Sequence, residues 1–156
     1  LDAVFTEFLR DVRGSDAWIL ATADHGFIDS PPERVIDIAD YPEIAALLAR
    51  PLCGERRVAY CYVAPENRSR FEEQVREQLA YCCELKTGTE LIAAGAYGPP
   101  PHHPQLASRI GDYVLLMQDN WTIKDWLPGE KRHEMLGVHG GTSEDEMRVP
   151  LIAVRV

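Results

Sequence analysis

The chain has 156 residues and a mass of 17.5 kDa, the length of one ordinary domain with enough chain to close a core. Apolar residues make up 46% and charged residues 26%, proportions that exclude wholesale disorder. Lysine and arginine number 16 against 25 acidic residues, a formal net charge of -9 that argues against a nucleic-acid duplex as partner.

The opening segment places Leu1, Val4, Phe5, Phe8, Leu9 and Val12 on one stripe at helical spacing, which predicts an amphipathic helix ended by Gly14 and Ser15. Trp18-Ile19-Leu20-Ala21-Thr22-Ala23 follows as an apolar run without polar alternation, the pattern of a buried, central parallel strand in which Thr22 is a core residue. Runs of this kind fall far short of the roughly 20 apolar residues that a membrane span needs. At the carboxyl end of the strand stand Asp24-His25-Gly26, where ligands bind in open α/β sheets. Ser30-Pro31-Pro32 breaks the chain, and a short helix is expected around Tyr41 to Ala49. Arg57 to Val63 reads as a strand by its β-branched and aromatic content. Phe71, Val75 and Leu79 recur every fourth residue, so the segment from Asn67 to Ala80 reads as a helix lying on that strand.

Thr89 to Ala94 reads as a further helix with Gly95 near its end. Pro99 to Pro104 is a stiff, extended surface loop, and that loop context is the better reading of its neighbouring His102 and His103 than a metal site. Tyr113 to Met117 reads as a strand. Ser143-Glu144-Asp145-Glu146 has the form of a capping box opening a helix after Gly140-Gly141. Pro150 stops that helix, and Leu151 to Val154 is expected as a last buried strand in the same sheet as Trp18 to Ala23 or its neighbour. Residues 51–104 suggest a small inserted subdomain, with 1–50 and 105–156 forming the core sheet.

The four cysteines include adjacent Cys82 and Cys83 and no C-x-x-C, so neither a disulfide framework nor a zinc ribbon is indicated. Reduced, buried thiols favour the cytosol. The chain begins at Leu1 inside a helix, so any signal peptide would lie upstream and the localisation stays open.

The sequence contains no G-x-S-x-G, Walker loop or G-x-G-x-x-G, which removes serine hydrolases, P-loop enzymes and Rossmann dehydrogenases as simple explanations. His133-Glu134 starts like a zincin helix, but Gly137 stands where the second histidine is required. Two motifs remain, Asp24-His25-Gly26 and His139-Gly140-Gly141. A divalent transition metal takes an anionic oxygen and a neutral imidazole nitrogen, which Asp24 and His25 supply. Consecutive strand residues face opposite ways, so both reach one ion only where the backbone bends, and Gly26 permits that bend. His139, with two glycines behind it, adds a second imidazole; on spacing alone the rival reading is an Asp-capped turn plus a structural histidine.

Thr22-Ala23-Asp24-His25-Gly26 after an apolar strand, then Arg109-Ile110-Gly111-Asp112, then His139-Gly140-Gly141-Thr142-Ser143 and Glu146 to Ile152, occur in an order that resembles the alkaline phosphatase superfamily. More narrowly, the chain resembles the type I phosphodiesterase/nucleotide pyrophosphatase family. The resemblance covers most of the chain and is loosest between Ser30 and Pro104. It implies an α/β fold, a partial, mainly parallel sheet flanked by helices with a small α+β subdomain in the middle. It also implies a hydrolase with two divalent metal ions, usually zinc, acting on a small-molecule phosphodiester or nucleotide. Asp24 and His25 would bind one ion and His139 the other.

The family's first metal-binding Asp, its Thr or Ser nucleophile and its Asp-x-x-x-His pair have no counterpart here; the fourth residue after Asp2 is Thr6 and after Asp16 is Leu20. The resemblance therefore implies the C-terminal part of a longer enzyme, inactive alone, with no catalytic nucleophile in this chain and its nucleophile upstream of Leu1. Sheet surface left uncovered by absent strands would favour self-association. A phosphomonoesterase, sulfatase or phosphomutase of the same superfamily is the rival chemistry. A non-catalytic binding module with a coincidental metal motif is the rival class. Tyr97, Trp121 and Trp126 could stack on a base, although packing is the commoner use of such residues.

Overall fold

A computed structural model describes residues 1–132 and 135–156. Helix α1 (Asp2–Asp11) leads into strand β1 (Trp18–Thr22) and the short strands β2 (Ile28–Asp29) and β3 (Val35–Asp37). One-turn helix α2 (Pro42–Ala45) precedes a hairpin of β4 (Cys53–Glu55) and β5 (Val58–Cys61), and the longer helix α3 (Arg68–Leu79) delivers β6 (Cys83–Thr87). Helices α4 (Gly88–Ala93) and α5 (Leu106–Arg109) come before β7 (Tyr113–Met117) and β8 (Thr122–Lys124). Strand β9 (Gly137–Val138), helix α6 (Glu144–Met147) and strand β10 (Leu151–Arg155) follow.

The main core lies on an antiparallel sheet of order β4-β5-β7-β6. Phe71, Val75 and Leu79 bury the expected α3 stripe against it. Ile36, Ile38, Ile44 and Leu47 join the same cluster from the segment around α2. Strand β7 is buried on both faces at Val114 and Leu115, because β5 and β6 flank it and neighbours cover both sides. The sheet thus runs across the 104/105 boundary expected between a middle subdomain and the core. Arg109 to Asp112 fastens the start of β7 to the end of β5. Asp112 donates its N–H to the Cys61 carbonyl at 2.9 Å, accepts from the Val63 N–H at 2.9 Å and pairs with Arg68 at 2.5 Å.

The parallel character expected of the sheet is confined, among the described residues, to β3 with β8. Strands β1 and β10 do pair, from Trp18 opposite Arg155 to Thr22 opposite Leu151, but antiparallel and as a two-stranded ribbon. They are not the buried strands that their apolar runs suggest. Trp18, Leu20 and Leu151 are 66%, 67% and 74% exposed, and Thr22 lies in the open with them instead of in a core. The reason is that no further described strand pairs with the ribbon and nothing described covers that face. Helix α1 forms as its stripe predicts, yet none of its residues is buried. No described helix is long and apolar enough to cross a membrane.

Candidate metal centre

The site is assembled by backbone pairing. Strand β2 pairs antiparallel with β9, Ile28 opposite Val138 and Asp29 opposite Gly137, so the residues flanking those pairs, Phe27 and His139, are brought alongside each other. The Asp24-His25-Gly26 turn that leaves β1 runs directly into Phe27. The His25 and His139 rings stack with centroids 3.9 Å apart and planes 11° from parallel. Phe27 packs against both, its ring centroid 5.0 Å from each imidazole, while remaining 61% exposed.

His25 has a defined environment at both ring nitrogens. Its Nδ1 lies 2.9 Å from the Gly26 carbonyl oxygen, an acceptor only, so Nδ1 is the donor in that contact. Nε2 lies 3.6 Å from Oδ2 of Asp24, whose side chain is 87% exposed and whose Oδ1 accepts the His25 N–H at 3.1 Å. Asp24 and His25 thus face one another across a short gap open to solvent. Among the described residues, no group of three or more His, Cys, Asp and Glu side chains converges tightly enough to hold an ion.

Beneath the two motifs lies a residue whose role sequence reasoning missed. Glu146 occupies the fourth position of the expected capping box, and Ser143 is indeed the residue before α6, but the box does not form. The Ser143 hydroxyl donates to Glu146 Oε2 at 2.6 Å and caps no backbone N–H. The buried Glu146 carboxylate instead accepts from Arg57 Nε at 3.0 and 3.2 Å, from Arg57 Nη2 at 3.0 Å and from the Gly141 N–H at 2.8 Å. Arg57 and Glu146 are each 1% exposed. Burial pushes the Glu146 carboxyl up, and hydrogen bonds from Arg57, Ser143 and Gly141 outweigh it, leaving the group below its ordinary value. Arg57 sits in the two-residue turn of the β4–β5 hairpin rather than in the expected strand. Its guanidinium also donates to the Trp121 carbonyl at 2.5 Å. The serine-to-glutamate spacing and the Glu146 to Ile152 stretch both draw attention to Glu146, and nothing local marks Arg57 as its partner.

The other candidates lie elsewhere. His102 and His103 make only local contacts, to the Gly98 carbonyl at 3.0 Å and the Gln105 N–H at 3.2 Å, as a loop reading requires. Trp121 packs on the core and meets Tyr81 edge-on, and Trp126 is flanked by Arg56, Lys124 and Arg132. Tyr97 is half-buried, with burial and the neighbouring Tyr60 raising its hydroxyl pKa. A cavity of about 220 Å³ beside His139 is lined by both signs of charge, Arg56 and Lys124 against Glu55 and Asp125. His133 and Glu134 lie outside the described residues. All four cysteines are free thiols, three of them buried and Cys53 exposed.

The family model for type I phosphodiesterase/nucleotide pyrophosphatase matches residues 1–142, a span that includes both motifs. The chain belongs to that family. Its fold is that of solved members of the alkaline phosphatase superfamily. Murine ectonucleotide pyrophosphatase/phosphodiesterase 5 matches with a TM-score of 0.64 and 16% identity over 97% of this chain and 37% of that one. The human protein of the same name gives 0.67 at 16% identity, again over 97% of this chain and 37% of the other. Phosphonoacetate hydrolase from Sinorhizobium meliloti, solved with phosphonoformate, gives 0.65 at 23% identity over 97% of this chain and 39% of that one. This chain therefore spans well under half the length of the structures it resembles. No curated protein sequence matches it significantly.

Proposed function

We propose that this chain supplies the C-terminal part of a metal-dependent phosphodiester hydrolase, with Asp24 and His25 binding one divalent cation and His139 a second. The observation that carries the reading is the His25–His139 ring stack, which unites two motifs from opposite ends of the chain. The donor chemistry fits a transition ion such as zinc, which takes imidazole nitrogen and carboxylate oxygen. With Nδ1 on the Gly26 carbonyl, Nε2 of His25 and Oδ2 of Asp24 face a common gap, an arrangement suited to one ion. The His139 ring is nearly parallel to that of His25, so their in-plane lone pairs occupy separate planes and serve separate ions.

When bound, a pair of such ions stabilises the charge on a transferring phosphoryl group. The chain's own residues orient the ligands: the Gly26 carbonyl fixes the His25 tautomer, and Phe27 shields one side of the imidazole pair. Phe27 also offers an exposed aromatic face to the organic part of a phosphodiester or nucleotide. Catalytic zinc sites usually have three protein ligands, so one or two per ion leave each site short. The remaining ligands and the nucleophile belong, in this reading, to a longer polypeptide, and the 156-residue chain alone is inactive.

The test is hydrolysis of bis-p-nitrophenyl phosphate, alongside a phosphomonoester and phosphonoacetate, by the metal-loaded full-length protein. Asp24→Ala and His139→Ala should each lower kcat/KM on the diester by more than about a hundredfold. Absence of turnover on the diester by the unmodified full-length protein, or full activity in both variants, would sink the proposal. Turnover by the 156-residue chain itself would show that the nucleophile lies within it.

A further inference from the structure

The loops bearing His25 and His139 leave both imidazoles half-buried and Asp24 exposed. What joins them is residue 146. Its carbonyl oxygen accepts the Gly26 N–H at 2.8 Å, and its carboxylate accepts the Gly141 N–H at 2.8 Å. One residue therefore holds the glycine that follows His25 and the second glycine after His139. Both contacts depend on the absence of a side chain. A Cβ at Gly26 would lie 1.8 Å from the Asp145 carbonyl oxygen, and one at Gly141 would lie 2.5 Å from Glu146 Oε2 and 2.9 Å from Arg57 Nε.

We propose that Arg57 and Glu146 are a positioning pair that sets the His25–His139 ring stack from beneath. A carboxylate has about four acceptor sites. Here Nε and Nη2 of Arg57, the Gly141 N–H and the Ser143 hydroxyl fill them. Rotating the carboxylate breaks several buried hydrogen bonds together, so its orientation is fixed. Arg57 is fixed in turn by its hairpin, where the Arg57 carbonyl accepts from Met117 N–H and the Arg56 carbonyl from Ile123 N–H, both at 2.9 Å. The four-stranded sheet thereby dictates where the histidine loops sit. Stability alone does not explain such a pair, since a buried ion pair can often be replaced by apolar residues of similar volume at no loss. The carboxylate acceptor that it offers to the Gly141 N–H cannot be replaced that way.

This inference rests on hydrogen bonds and ring geometry, so it survives if the hydrolase reading fails, and its test needs no metal or substrate. The full chain, with 13C-labelled histidine, is compared with Glu146→Gln and with the double variant Arg57→Met/Glu146→Leu by NMR. The unmodified protein should show a nuclear Overhauser cross-peak between the His25 and His139 rings. The double variant should keep the circular-dichroism spectrum and cooperative unfolding of the parent while losing that cross-peak. Glu146→Gln keeps the side chain's shape, but its amide nitrogen donates and cannot accept from all four partners, so its cross-peak should be weakened. It decides the matter by the same criterion if the double variant does not fold. An undiminished cross-peak in a folded variant of either kind would overturn the proposal, showing that the rings are placed by the β2–β9 pairing alone.

Discussion

Glu146 shows how a residue can satisfy a local sequence rule and serve a distant partner instead. Ser143-x-x-Glu146 has the capping-box spacing, but Arg57 captures the carboxylate because a buried guanidinium and a buried carboxylate each need the other. The pair has a measurable pH signature. The folded-state pKa of Glu146 lies below its ordinary value, so its contribution to stability is fully present above the unfolded pKa, roughly 4.3 for glutamate. It is lost as the pH falls through the folded value. Thermal unfolding followed from pH 6 downward should show a loss of midpoint below about pH 4.3 that is shallower in Arg57→Met/Glu146→Leu. Equal acid slopes would mean that other carboxylates account for the whole loss. At this scale short motifs mark Asp24, His25 and His139 in the sequence, and the structure brings the two histidine rings together. The sequence hid Arg57 because its role depends on a contact between residues far apart in the chain.

Among elements, those whose apolar pattern meets a described partner were legible. Phe71, Val75 and Leu79 gave α3 its register, and the run from Tyr113 to Met117 gave β7 its place inside the sheet. Arg109-Ile110-Gly111-Asp112 was legible as a family motif, while its physical work is local. Gly111 has φ +74°, and a Cβ there would lie 2.6 Å from the Cys61 carbonyl oxygen, the acceptor that the Asp112 N–H needs. Gly111→Ala should cost about 1–3 kcal/mol in chemical denaturation, through backbone strain and crowding. A neutral result would show that the end of β5 can move away freely. Strands β1 and β10 were misread for a different reason. A non-alternating apolar run records that a strand has faces to bury, not which strands bury them. The antiparallel β1–β10 ribbon leaves Trp18, Leu20 and Leu151 on an open face.

For the molecule as a whole, that open face and the net charge oppose one another. Trp18, Leu20, Ala153 and Leu151 lie on the same side of the ribbon by register, and the Val4 and Phe8 positions of α1 are exposed as well. Contiguous apolar surface of this kind drives association, and an unpaired strand edge can template it. A formal charge of -9 on each copy of a 156-residue chain repels a second copy, over a range that salt shortens. The two effects make a signed prediction for the 156-residue chain. Its weight-average mass in sedimentation should rise with protein concentration, and rise further as sodium chloride is raised from about 0.01 M to 0.5 M, where the screening length shrinks severalfold. Leu20→Glu combined with Leu151→Glu places charge in the open face without touching either histidine loop, and should return the mass to that of a monomer at every salt concentration. Association that salt weakens would point to charge pairing between copies. Association undiminished in the double variant would move the contact away from the β1–β10 face.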